Sequence, residues 1–293
     1  MSARLALGTA QFGLDYGVNN KRGRIPPAEV TTILRYAWQS GIRVLDSAWA
    51  YQDSERLIGA FIQKEGTLFK IVSKVPDEYG KNIVKGFEAS LASLRLPKIY
   101  AYLIHHFQTF IEDKNVLEDL KQLKQQGKIE KFGFSLYRTQ DLEYLLANNI
   151  PFDIAQLPFS ILDQRFLSFL PKLRERNIEV HARSIFLKGL MFKNPQELTD
   201  RFEKVKRKVL TLRSLAAEHR IPLLALCLNF VLNQPGIDEV IIGVDSLEHL
   251  KENVDALRFQ EKVRALMLKL AELKEDDEEV IVIPNWKRPW KKS

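Results

Sequence analysis

Short apolar runs alternate with amphipathic stretches along most of this chain. Leu5 to Ala10 is a first run, followed by a polar, Gly-rich loop over Gln11 to Arg24. Pro26-Pro27 then opens a segment where Val30, Ile33, Leu34, Ala37 and Trp38 recur at helical spacing, ended by Gly41. A strand to about Ala48 comes next, then a helix carrying Leu57, Ile58 and Phe61, with Asp53 or Ser54 as its cap. The same alternation predicts strands over 69–75, 100–105, 129–135, 153–157 and 178–184. The helices between them are marked by Ile83, Phe87, Leu91 and Leu94, by Val116 to Leu123, and by the stretches 142–147 and 166–176. After Lys188-Gly189 the rhythm loosens into an inserted loop over 194–200 and two helices, 201–219 and 223–233. A last strand over 239–244 precedes a helix, 247–257, capped by Ser246. One further helix, 260–274, lies outside the repeat, ahead of a basic, aromatic end from Asn285 to Ser293.

About eight strand–helix units follow one another with no break in composition. Such alternation implies parallel pairing and right-handed crossovers. In a chain of 293 residues it fits a closed (β/α)8 TIM barrel better than an open doubly wound sheet. The open-sheet alternative needs a G-x-G-x-x-G fingerprint after the first strand, and Gly8-Thr9-Ala10-Gln11-Phe12-Gly13 lacks that spacing. The expected organisation is one barrel domain over 1–293, with an extra helix and basic tail at about 259–293.

A barrel of this kind places its chemistry at the C-terminal ends of its strands. Asp46 ends the second strand, Lys74 the third and His105 the fourth, and Tyr51 follows the second strand in its loop. Each alone is a weak signal. Together they make sense: a charge closing a buried strand needs a partner, and Asp46 and Lys74 on adjacent strands supply each other. A phenol is a poor acid at neutral pH, a nearby ammonium lowers its pKa, and an imidazole can orient a substrate oxygen. The ensemble reads as a proton donor aimed at a carbonyl oxygen.

Composition narrows the partners more than the fold. Hydrophobic content of 45% and charged content of 28% are ordinary for a globular protein, and the formal charge of +7 suits an anionic cofactor or a merely solvated surface. The single cysteine, Cys227, lies in an apolar run and excludes both an internal disulfide and a cysteine zinc site. The histidines form no coherent ligand set with Asp or Glu, so no metal is expected. No apolar run approaches a membrane span and the start lacks a signal-peptide core, which predicts a cytoplasmic protein without membrane attachment. The tail from Trp286 to Lys292 raises nucleic-acid or membrane binding as an alternative; a docked or solvated tail, with no nucleic-acid partner, is the expectation.

These residues resemble the aldo-keto reductase family. Asp46, Tyr51, Ser54 and Glu55 match its Asp–Tyr–Ser-Glu motif, Lys74 its strand-three lysine, and Leu103-Ile104-His105 the ending of its strand four. Gln52 stands where the family usually has Gly, and His106 where many members have Trp. Gly133-Phe134-Ser135 is similar to the element that holds the nicotinamide carboxamide through Ser135, with Leu136 in place of the usual Asn; Gln156 matches the Gln at the same carboxamide. Arg183 and Ser184 open a segment similar to the loop that covers the cofactor, Arg183 standing where many members stack an aromatic ring. Gly243, Ser246, His249 and Asn253 resemble the adenosine-phosphate end, with Asn253 at the adenine.

The resemblance implies reversible hydride transfer between NADP(H), with NAD(H) possible, and a small carbonyl compound: an aldehyde, a ketone or a sugar. Tyr51 would give the proton, Lys74 lower its pKa, Asp46 orient Lys74 and His105 direct the carbonyl. A substrate pocket is expected from Phe12, Tyr16, Trp49, Tyr79 and His106. Monomer is the expected state. The alternative in a different class is a cofactor-binding barrel that acts as a redox sensor or scaffold subunit with little turnover.

Overall fold

The apolar runs become parallel strands because both of their faces are covered. In the computed structural model, which describes residues 4–17, 20, 22–75, 82–198 and 200–286, the elements in chain order begin with β1 (Leu5–Gly8), the one-turn α1 (Ala10–Gly13), α2 (Pro27–Gln39), β2 (Val44–Asp46), α3 (Ser54–Glu65) and β3 (Lys70–Lys74). There follow α4 (Ile83–Leu94), β4 (Ile99–Ile104), α5 (Phe107–Glu112), α6 (Val116–Gln125), β5 (Ile129–Ser135), α7 (Thr139–Ala147) and β6 (Ile154–Pro158). The second half holds α8 (Leu170–Glu175), β7 (Glu179–Arg183), α9 (Lys206–Glu218), α10 (Leu223–Leu232), β8 (Glu239–Gly243) and α11 (Leu247–Ala256), then the short helices α12 (Gln260–Arg264), α13 (Met267–Ala271) and α14 (Glu278–Ile281). The eight strands pair in sequence order and β8 closes on β1, making the expected barrel.

Two apolar layers hold it. One lies between strands and helices and takes in Leu7, Leu45, Ile71, Ile104 and Phe134; a smaller one contains Ala6, Val44, Val72, Leu103, Ile154 and Ile241. The period of two along each strand decides what the second layer carries at its end. Asp46 shares a face with Val44, Lys74 with Val72, His105 with Leu103, Gln156 with Ile154 and Gly243 with Ile241. Strands β5 and β6 approach closely at Gly133, where a Cβ would lie 1.9 Å from the Ile154 carbonyl oxygen.

Several boundaries differ from the sequence expectation. The polar stretch after β1 coils into α1 instead of running as loop. Asp53 precedes α3 but makes no cap bond; its carboxylate pairs with Arg24 at 2.8 Å and Arg56 at 3.0 Å. Ser246 caps α11 as expected, its Oγ accepting from the His249 N–H at 3.2 Å. The single helix expected over 260–274 is broken at Ala265-Leu266, where the Leu266 N–H bonds the Val263 carbonyl at 2.8 Å, three residues back. Trp286 is docked: its Nε1 donates to the Val280 carbonyl at 2.9 Å and its ring meets Phe202 edge-on; the tail beyond it lies outside the described residues. Among the described residues no single helix is long and apolar enough to cross a membrane.

Candidate active site

At the C-terminal end of the strands, β2 and β3 deliver an ion pair into the interior. Lys74 Nζ lies 2.8 Å from Asp46 Oδ1 and donates to the Ser47 carbonyl at 2.8 Å, with both side chains buried. From across the barrel, Gln156 Nε2 donates to the same Asp46 oxygen at 2.7 Å. Burial pushes the Lys74 ammonium below its ordinary range, and Asp46 opposes that shift. Thr9 Oγ1 donates to the Asp46 carbonyl at 3.0 Å and accepts from Ser54 Oγ at 2.7 Å, tying β1, β2 and the start of α3 together. The Ser54 of the sequence motif is thus a brace for the strand that carries Asp46.

Tyr51 sits above this pair. Its ring centroid is 5.2 Å from Lys74 Nζ and 6.4 Å from the His105 ring, which it meets edge-on. Gly13 fits directly against its backbone; a Cβ there would lie 1.7 Å from the Tyr51 carbonyl oxygen. Burial first, and then the Asp46 carboxylate, hold the Tyr51 phenol well above its ordinary pKa, with Arg183 pulling the other way. The phenol therefore keeps its proton. Burial, with Lys74 next, pushes His105 down to about 2, so the imidazole is neutral, and its Nδ1 is buried without a partner.

A cavity of about 650 Å³ opens from these groups and runs to the start of α11. Asp46, Tyr51, Lys74, His105, Ser135, Gln156, Arg183, Ser184, Gly243, His249 and Asn253 all line it. Ser246 does not; it is buried and spent on capping. Of the expected substrate wall, Tyr16 lines the cavity, whereas Phe12, Trp49 and His106 do not, and Tyr79 lies outside the described residues. Phe12 is turned into the core by α1 and is fully buried. Trp49 is half-buried on a 3₁₀ turn, and His106 is exposed and stacks on His105 at 4.6 Å between centroids. In their place stand Tyr137, Phe186, Lys188, Phe192 and Leu224.

Arg183 does not lie free. Its guanidinium stacks 3.8 Å from the Tyr137 ring centroid, and one terminal nitrogen donates to the Leu136 carbonyl at 2.7 Å. Leu136, standing where Asn is usual, serves through that carbonyl, while its side chain is in the core. Beyond Arg183 the backbone runs through positive φ at Ser184, Leu187 and Lys188, and Lys188 Nζ comes to rest 4.7 Å from the Tyr16 ring centroid.

The far end of the cavity is acidic. Asp245 and Glu252 line it, and Gln11 Nε2 donates to Asp245 Oδ1 at 3.2 Å. His249 is 3.9 Å from Asp245. Arg22 is drawn to Glu29 at 2.7 Å, and Glu29 in turn lies 3.4 Å from the Leu247 N–H at the start of α11. Asn253 gives its Nδ2 to the His249 carbonyl at 2.7 Å, which leaves its Oδ1 buried without a partner. The cavity thus carries an orphaned amide oxygen at the start of α11 and a protonated phenol at the strand ends. No group of three or more His, Cys, Asp or Glu among the described residues could hold a metal ion.

Comparison with known proteins follows the same line. The model of the Aldo/keto reductase family matches residues 4–273. The uncharacterized oxidoreductase YqkF of Bacillus subtilis is 29% identical over 267 residues, spanning 80% of this chain and 85% of its own. Pyridoxal 4-dehydrogenase of Microbacterium luteolum is 22% identical over 306 residues, spanning 85% of this chain and 88% of its own. Among solved structures, the holo form of aldo-keto reductase AKR11C1 from Bacillus halodurans superposes with a TM-score of 0.74 at 21% identity, covering 94% of each chain, a likeness of fold.

Proposed function

The chain belongs to the aldo/keto reductase family, whose members are oxidoreductases acting on small carbonyl compounds with nicotinamide cofactors, and from that premise we propose that it reduces an aldehyde, ketone or sugar to the alcohol with Tyr51 as proton donor. The observation that carries this reading is the buried Asp46–Lys74 pair 5.2 Å beneath the Tyr51 ring, in a cavity that also exposes His105.

A bound nicotinamide supplies the hydride. The chain's own residues do the rest. His105, a neutral imidazole, hydrogen-bonds the carbonyl oxygen and orients it. Tyr51 keeps its proton until that oxygen gains negative charge and then gives it up. The phenolate left behind is favoured electrostatically by Arg183, and by Lys74 only in so far as its Asp46 partner leaves its charge uncancelled. Asp46 and Gln156 fix Lys74 in place. Ser135 and Gln156 are the groups offered to a carboxamide, and Asn253 to adenine.

The resemblance favours NADP(H). The acidic end of the cavity favours NAD(H): a 2′-phosphate would enter beside Asp245 and Glu252, and Arg22 is already paired with Glu29. We therefore place NAD(H) first. Steady-state assays that follow dinucleotide absorbance over a panel of aldehydes, ketones and sugars, with each dinucleotide in turn, test the reading. Turnover with NADH at least equal to that with NADPH is expected; no turnover with any member of the panel counts against an enzyme.

A further inference from the structure

The proposed chemistry fixes where charge matters. Hydride reaches the carbonyl carbon while Tyr51 serves the carbonyl oxygen, and these two atoms are about 1.2 Å apart. Whatever field acts on the Tyr51 hydroxyl therefore also acts on the nicotinamide that reacts beside it.

The sources of that field are few. Lys74 is offset by Asp46 at 2.8 Å, and His105 is neutral. Two cations remain on the cavity wall: Lys188, whose Nζ rests 4.7 Å from the Tyr16 ring centroid and which is not among the groups acting on Tyr51 or His105, and Arg183, which acts on both. Its terminal nitrogens donate to the Leu136 carbonyl at 2.7 Å and to Ser184 Oγ at 3.3 Å, both uncharged. Its Nε is buried with no partner. Among the described residues no carboxylate forms an ion pair with it; Asp163, which feels its charge, is held by Arg165 at 2.9 Å. The stack on Tyr137 at 3.8 Å and the Leu136 bond fix the guanidinium in position. Its charge acts on Tyr51, Lys74 and His105 alike.

An oxidised nicotinamide ring carries a positive charge and a reduced one is neutral. We propose that Arg183 is a redox-state selector: a fixed cation without a counter-ion that admits the reduced ring in preference to the oxidised one, and so keeps the site loaded with reduced cofactor and raises the potential of the bound couple. The surrounding cavity wall is of low dielectric, where a like charge is felt more strongly than in water. Arg183 acts here through its charge on the cofactor's two forms, without a covalent step.

The proposal rests on the dinucleotide reading above, and one experiment separates the two. Dissociation constants for the oxidised and reduced forms of the same dinucleotide are measured by fluorescence titration on the wild-type protein and on Arg183→Gln and Arg183→Lys, without substrate. The wild type is expected to bind the reduced form at least about tenfold more tightly, which corresponds to about 30 mV in the potential of the bound couple. Arg183→Gln should cut that ratio by roughly tenfold, chiefly by tighter binding of the oxidised form, and Arg183→Lys should keep it. A residue that only props up the wall would weaken both forms together and leave the ratio alone. Equal wild-type affinity for the two forms, or an unchanged ratio in Arg183→Gln, overturns the proposal while leaving the dinucleotide reading intact. Absence of binding by either form removes both.

Discussion

Gln156 Nε2 lies 2.7 Å from Asp46 Oδ1, the same oxygen that holds Lys74. A residue expected only at a carboxamide is thus also a brace for the ion pair. Replacing it with Leu leaves that oxygen short of one charge-assisted bond, at a cost of about 2 kcal/mol. Gln156→Leu should lower thermal stability measurably and reduce kcat by roughly tenfold. A variant with unchanged melting and unchanged kcat would show that the contact carries nothing.

Asp46 and Lys74 are each buried, so removing one partner strands the other. Asp46→Asn should destabilise the fold by about 3–5 kcal/mol and cut kcat by at least about 100-fold. The double replacement Asp46→Leu with Lys74→Met should recover much of the stability and none of the turnover. Denaturant unfolding of the three variants separates the structural role of the pair from its chemical one.

Gln52, directly after Tyr51, has φ 50°. That region is costly for any residue with a Cβ and free for Gly, the residue usual at this place in the family. Gln52→Gly should stabilise the protein by about 1 kcal/mol after allowing for the looser unfolded chain. Its kcat should change less than about threefold. A fall in melting temperature would mean that Gln52 has a contact that outweighs its backbone strain.

Much of this was legible in the sequence because parallel strands covered on both faces read as apolar runs. The run Ile129–Ser135 is a strand with those bounds, and Asp46, Lys74 and His105 each stand at a strand end where period two turns them inward. Loop conformation was not legible. Nothing periodic announces that Ser184, Leu187 and Lys188 take positive φ, which is what brings Lys188 against Tyr16. Phe12 was expected on the pocket wall for its aromatic ring, but the single turn of α1 sends it into the core. Tyr137 gave no signal because its role depends on Arg183, which is close in space and 46 positions on in sequence.

Glu239, at the start of β8, tests the fold far from this chemistry. Burial first pushes its carboxyl up to about 7, His181 opposes that, and its Oε2 is buried without a partner. Because the folded-state value lies above the unfolded one near 4.3, its contribution is full below about pH 4 and is lost as pH rises through 7. Glu239→Gln should therefore gain stability on the wild type between pH 5 and pH 8, by about 1–2 kcal/mol after discounting for partial exposure. Urea midpoints at the two pH values check it; a difference that does not change with pH would place the titration elsewhere.

The central claim is that Tyr51 supplies the proton. Its most direct test is Tyr51→Phe, assayed for single-turnover oxidation of bound reduced dinucleotide by a carbonyl that the wild type accepts, with dinucleotide affinity measured in parallel. Hydride transfer slowed by at least about 1,000-fold, with affinity within about threefold of wild type, is the predicted result. Transfer at a rate near the wild type, with the dinucleotide still bound, would contradict the account.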